Sequence, residues 1–277
     1  MSPISAVFQR LRGEGALVAY VMGGDPDLAT SGSVIDAVVR GGADIVEVGI
    51  PFSDPIADGK SIQAADVRSL AAGTTPSQVL ELIAGAKSRN PRVPIIAMTY
   101  YNILFSNGLA KFLAAARGHG VDGLIVPDLP FDEIHEYAPL AKRYGLDAVL
   151  LAAPTTTPAR MKAIAKHTSG FLYLVSLTGV TGARADVQHS TVGLVRSAKR
   201  YTAKVPVGVG FGISTPEHVR AILAAGADAV VVGSAIVDKV AGYEKDGPVR
   251  MLANVESYVR SLKAATKGAQ ERFSAAL

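Results

Sequence analysis

The chain has 277 residues, a net charge of +4, 49% apolar residues and no cysteine. Without cysteine there is neither a disulfide nor a thiolate metal site, and no apolar run reaches the roughly 18 residues that cross a bilayer. Lys and Arg are scattered and aromatics are sparse, so the basic stripe or stacking platform of a nucleic-acid surface is missing; a modest positive field still favours an anionic small substrate.

The N-terminal MSPISAVFQRLRGEG has no signal-peptide h-region and reads as a short amphipathic helix, so a cytoplasmic protein is expected. Eight short apolar, β-branched runs follow. They are ALVAYVM from Ala16, DIVEVGI from Asp44, PIIAMTY from Pro94, GLIVPD from Gly123, DAVLLAAP from Asp147, FLYLVSL from Phe171, PVGVGFG from Pro206 and DAVVVGS from Asp228. Each is nearly continuous in hydrophobicity, the pattern of parallel strands buried on both faces.

Helical patterns fill the intervals. Thr157-Pro158 and Thr215-Pro216 each offer an N-cap followed by proline at the first helical position, and Ser214 with Glu217 offers a capping-box alternative at the second site. GGADIVEVG, HGVDGLIVP and AGADAVVVG each run from Gly through a small or branched residue to Asp and then into a strand. This weak repeat reads as loop chemistry shared by βα units rather than as gene duplication. Eight alternating units predict one (β/α)8 TIM barrel spanning 1–277, a single domain with an extra N-terminal helix and an elaborated second βα loop. An open doubly wound sheet is the alternative; its GxGxxG first turn is replaced here by MGGDPD.

The second strand run places one acid, Glu47, among Ile45, Val46, Val48 and Ile50. The two-residue period puts Glu47 with Ile45 and Gly49 on one face, and Val46 with Val48 on the other. If the valines pack on the outer helices, Glu47 points into the barrel, where an unpaired carboxylate is costly. It is then either a structural acid with a basic partner from a distant strand, or a general acid/base whose pKa is raised by desolvation. Asp54 and Asp58 follow in FSDPIADG, and spacing alone does not choose between them.

VGVGFGIS after strand seven and VVGSAIV after strand eight are glycine-rich strand ends where barrel phosphate sites recur. SLTGVTGARAD, from Ser176, is a glycine-rich loop that reads as a lid excluding water from the site, with a simple flexible turn as the alternative. The five histidines keep no metal-ligand spacing. No lysine lies within a strand run, against a Schiff-base aldolase. The chain after Val240 is expected to form a helix and then a frayed end.

EVGIPFSDPIADG, GVTGA, GFGIS and GSAIV, in that order between about Leu17 and Val240, make the chain resemble the tryptophan synthase alpha chain family. The resemblance implies a (β/α)8 lyase of L-tryptophan biosynthesis. Such a lyase splits indole-3-glycerol phosphate into indole and glyceraldehyde 3-phosphate by a retro-aldol step, with no cofactor or metal in this chain. It implies a beta chain partner carrying pyridoxal phosphate, in an alpha2-beta2 heterotetramer. By motif it makes Glu47 and Asp58 the catalytic acids. Tyr20, Tyr100, Ile125, Tyr173 and Thr181 fall at substrate positions, and Gly182, Phe211, Gly212, Gly233 and Ser234 at the phosphate. Pro51 and Asp54 fall where the family meets the beta chain. Tyr20 departs from a phenylalanine found in the family, and Leu177 from an arginine found in some members. A stand-alone indole-releasing lyase, another phosphate-sugar barrel enzyme and a non-catalytic barrel are the rival readings.

Overall fold

The computed structural model describes residues 1–11, 13–175, 184–202 and 205–268, with the side chains of the third stretch described from residue 191 onward. All eight expected strand runs form strands. They are Ala16–Met22, Ile45–Gly49, Ile95–Met98, Gly123–Ile125, a fifth in two pieces (Asp147–Ala148 and Leu151–Ala152), Leu172–Leu174, Val207–Val209 and Ala229–Val232. Every pairing is parallel.

The sheet runs from the first piece of strand five through strands four, three, two, one, eight, seven and six to the second piece of strand five. Only Val149 and Leu150 separate those two pieces, so both ends of the sheet are one stretch of chain. The Val149 N–H donates to the Leu124 carbonyl at 3.0 Å and the Tyr173 N–H to the Leu150 carbonyl at 2.9 Å, which carries the ladder across the seam. The sheet therefore closes into a (β/α)8 barrel, and the open doubly wound alternative is excluded.

Alternation sorts the side chains as the period predicts. Val46 and Val48 lie in the apolar layer between strands and helices, together with Leu17, Ile35, Val38 and Ile83. Ile45 lies in a separate interior cluster with Val18, Ile96, Ile125, Phe171 and Ala229. The N-terminal helix Pro3–Arg10, capped by Ser2, adds Ile4 and Val7 to that interior cluster. Its apolar face thus plugs one end of the barrel, which leaves the opposite end, where the strands finish, for a ligand.

The repeat noted in the sequence has a shared job at the plugged end. The carboxylate of Asp44, just before strand two, accepts the Leu17 N–H of strand one at 2.9 Å. Asp122, just before strand four, accepts the Ile95 N–H of strand three at 2.9 Å, and Asp228, just before strand eight, accepts the Val207 N–H of strand seven at 2.7 Å. Ser169 does the same before strand six, accepting the Ala148 N–H of strand five at 2.8 Å. Each Asp also holds a lysine: Lys263 at 2.7 Å, Lys87 at 2.6 Å and Lys199 at 2.8 Å, respectively. These N–H groups, at the first or second residue of each odd strand, would otherwise be unpaired buried donors.

Thr157 and Thr215 cap their helices as expected, and the Thr215 hydroxyl accepts the His218 N–H at 3.3 Å in place of the Ser214 capping-box alternative. The second loop is elaborated by the helices Lys60–Ala71 and Pro76–Arg89, the latter with a full Thr75–Gln78 capping box. After Val240 the chain is helical over Tyr243–Ala264 with a break at Gly247, whose φ of 70° is non-helical; residues 269–277, where a frayed end is expected, lie outside the described residues.

Candidate active site

Glu47 is completely buried in strand two, and among the described residues neither of its carboxyl oxygens has a hydrogen-bond partner. The basic partner required by a purely structural reading is therefore missing among the described residues. Burial first, and the nearby Asp58 charge second, push its pKa from 4.5 to about 8. At neutral pH Glu47 is a neutral acid, which is how the interior tolerates it.

Asp58 sits in the turn leading to the helix Lys60–Ala71. The Tyr100 hydroxyl donates to its Oδ2 at 2.8 Å. Burial raises the Asp58 pKa to about 6, against the opposing pull of the Tyr100 hydrogen bond. Asp58 is thus mainly a carboxylate at pH 7, facing a protonated Glu47. Two acids with their ionisations pushed apart are the arrangement of an acid and a charge stabiliser in one site. Asp54 is exposed, and its carboxylate accepts the neighbouring Ser53 hydroxyl at 2.5 Å. The geometry separates the two loop acids where spacing did not.

Two tyrosines flank Glu47. Tyr20 is its Cα partner in strand one, and Tyr173 lies in strand six. A Cβ on Gly49 would stand 2.2 Å from the Tyr20 hydroxyl oxygen, and one on Gly210 would stand 2.2 Å from that of Tyr173. Glycine is needed at both positions because a tyrosine head fills the space. Burial and then the acids raise both phenols well above their ordinary value, with Asp58 the leading acid for Tyr20 and Glu47 for Tyr173. Both therefore remain protonated. Ile125 belongs to the interior cluster against which Tyr173 packs.

The glycine-rich strand ends open at the same end of the barrel. Gly212 has φ +64°, a left-handed conformation that favours glycine. Phe211 beside it is partly buried against the outer core. Gly233 caps the helix Ser234–Val240, with Ser234 exposed at its first position. A Cβ on Gly233 would stand 3.5 Å from the Tyr20 Cβ, so this strand end borders the tyrosine. Pro51 is buried, while Asp54 and Ile56 of the same loop are exposed, Ile56 by 85%. Thr181, Gly182 and Leu177 lie outside the described residues. Sequence reasoning missed Phe52 and Asp66. Phe52 stacks on Tyr100 with ring centroids 5.0 Å apart, and Asp66 is buried beside the second loop. Among the described residues no cluster of His, Asp and Glu is arranged to hold a metal ion.

A closed parallel barrel with a protonated glutamate and an ionised aspartate at the open end defines a barrel enzyme built for proton transfer. The model of the tryptophan synthase alpha chain family matches residues 8–267. A tryptophan synthase alpha chain of Methanosarcina barkeri is 47% identical over 268 residues, covering 96% of this chain and 98% of its own length. One of Methanoregula boonei is 43% identical over 269 residues, with 96% and 99% covered. Among solved structures, an alpha chain of Legionella pneumophila superposes with a TM-score of 0.86 at 31% identity, covering 96% of this chain and 97% of that one. A chain from a structure describing mutual activation of the tryptophan synthase a2b2 complex of Pyrococcus furiosus gives 0.84 at 40% identity, with 91% and 98% covered. The chain belongs to the tryptophan synthase alpha chain family.

Proposed function

We propose that Glu47 and Asp58 together carry the retro-aldol cleavage of indole-3-glycerol phosphate to indole and glyceraldehyde 3-phosphate. Breaking the bond between indole C3 and the glycerol chain requires a proton on C3 and removal of the proton from the adjacent hydroxyl. Glu47 gives the first proton and takes the second, so the acid is restored as the aldehyde forms. The Asp58 carboxylate faces the indole N1–H and stabilises the positive charge that appears there when C3 is protonated. The observation that carries this reading is the split between a buried, partnerless Glu47 that keeps its proton and an Asp58 that gives its proton up.

Tyr20, Tyr100, Ile125 and Tyr173 are proposed to line the indole end, supported by their place around the two acids. Phe211, Gly212, Gly233 and Ser234 are proposed to form the phosphate end, supported by the left-handed Gly212 and the helix start at Ser234. Thr181 and Gly182 join the proposal on their motif alone. We propose that residues 1–277 act as one barrel domain, which the match over 8–267 supports. Proton transfer of this kind needs no cofactor in this chain; pyridoxal phosphate belongs to the partner.

The partner is a beta chain in an a2b2 assembly, as in the Pyrococcus furiosus relative. Pro51 and Asp54 are proposed to face it, and the exposed Ile56 gives their loop apolar surface. No described helix is long and apolar enough to cross a membrane; a cytoplasmic site of action is proposed from the biosynthetic role. Indole release from indole-3-glycerol phosphate, measured with and without a beta chain, tests the reading. Release that rises with the partner supports it, and no release in either condition overturns it.

A further inference from the structure

Asp66 lies in the helix Lys60–Ala71 and is 2% exposed. Its Oδ1 accepts the Phe52 N–H at 3.0 Å, whereas its Oδ2 is buried without a partner among the described residues. Such a carboxylate is expensive to keep, and one backbone contact is a small return for a purely structural residue. The contact, however, starts a relay. Phe52 opens the second loop, its ring lies nearly parallel to that of Tyr100 at 24°, and the Tyr100 hydroxyl holds Asp58. The helix that carries Asp66 is itself fixed: Arg68, two residues on, makes two 2.7 Å hydrogen bonds to the buried Asp25 of the first loop.

We propose that Asp66 is a positioning residue for the reaction: it anchors Phe52, Phe52 seats the Tyr100 ring, and Tyr100 sets the angle at which the Asp58 carboxylate meets the indole nitrogen. The Phe52 backbone belongs to the loop, and the hydrogen bond from its N–H to Asp66 ties that part of the loop to the helix. The relay needs an acceptor at Oδ1 and a side chain of this length; it does not need the negative charge. Burial, with Asp58 and Asp25 nearby, holds the Asp66 pKa up at about 7, so the anchor works in both protonation states. The phosphate end draws on strands seven and eight and is untouched by the relay.

The proposal rests on the indole-releasing reading above, and its test separates the two. Indole release is measured for the wild-type chain with its beta chain and for Asp66→Ala, Asp66→Asn and Phe52→Leu, alongside inhibition by glycerol phosphate. Asp66→Ala and Phe52→Leu are expected to lower kcat about tenfold, since small misplacements of a catalytic group cost one to two powers of ten. Glycerol phosphate inhibition should stay within about twofold of wild type in both, because the anion end is separate. Asp66→Asn, which keeps the Oδ1 acceptor, should restore kcat to within about threefold. Phe52→Leu keeps the proposal open to refutation even where Asp66→Ala does not fold. Wild-type kcat in Phe52→Leu overturns the positioning role, as does an Asp66→Asn variant as slow as Asp66→Ala. A wild-type chain that releases no indole overturns instead the reading beneath it.

Discussion

The Tyr100 hydroxyl donates to Asp58 Oδ2 at 2.8 Å and accepts the Ala57 N–H at 3.0 Å, so one phenol ties the aspartate to the backbone residue that precedes it. The donated hydrogen bond favours the charged form of Asp58 and opposes the effect of burial. Tyr100→Phe removes that donor and leaves the Ala57 N–H without its acceptor. The Asp58 pKa is then expected to rise. At pH 7 kcat should fall about tenfold, in line with the loss of a hydrogen bond to a charged group. A pH–rate profile checks it: the acid limb moves to higher pH in the variant, and an unmoved limb would show that Tyr100 does not set the Asp58 ionisation.

The two acids also fix the sign of the pH dependence in the wild-type chain. Asp58 acts as carboxylate and has its pKa raised to about 6, so activity is expected to fall as pH drops through that value. Glu47 acts as an acid and has its pKa raised to about 8, so activity is expected to fall again as pH rises past it. The result is a bell with its top between the two. Measurement of kcat/KM for indole release from pH 5 to pH 10 decides it. Activity that keeps climbing above pH 9 would mean that Glu47 works without its proton.

Stability should also fall with rising pH through Glu47, over a window that begins lower. A carboxyl whose pKa is higher folded than unfolded binds its proton more tightly in the folded state, so its penalty is absent below the unfolded value of 4.5 and complete above about 8. Glu47→Gln removes the ionisation and is expected to raise the unfolding free energy by roughly 2–5 kcal/mol at pH 8, and by much less at pH 4. Urea denaturation at the two pH values measures the difference. An equal effect at both would mean that the carboxyl is not desolvated.

At the phosphate end, Ser234→Asp is a cleaner probe than a change at Gly212. Gly212 has φ +64°, so any side chain there adds strain whatever its charge. Ser234 is exposed at the first position of its helix, where an Asp suits the helix dipole and the fold should tolerate it. Its charge would repel a phosphate, so glycerol phosphate inhibition should weaken about tenfold or more while turnover of saturating substrate changes less. Unchanged inhibition would place the anion elsewhere.

Much of this was legible in the sequence because both-face burial leaves an unmistakable trace. The eight strands were readable as apolar runs, and the inward direction of Glu47 followed from the two-residue period. The break in strand five at Val149–Leu150 was not readable, since hydrophobicity continues through it. The Asp44, Asp122 and Asp228 repeat was visible, but Ser169, which does the same work, was hidden by its different residue type. Asp58 could be told from Asp54 only through resemblance, because both are turn acids; what separates them is Tyr100, 42 residues further on. Asp66 was invisible because its burial comes from the docking of its helix on the barrel mouth, not from any local pattern.

The account stands most directly on Glu47, and indole release by Glu47→Gln at pH 7 tests it. Glutamine fills the same space and keeps the barrel interior neutral, so the fold persists while the movable proton is gone. Turnover is expected to drop by about 10²–10⁴-fold, the usual contribution of a general acid–base group, with glycerol phosphate inhibition retained. Turnover close to that of the wild-type chain would contradict the account and leave Glu47 a buried acid with no part in the chemistry.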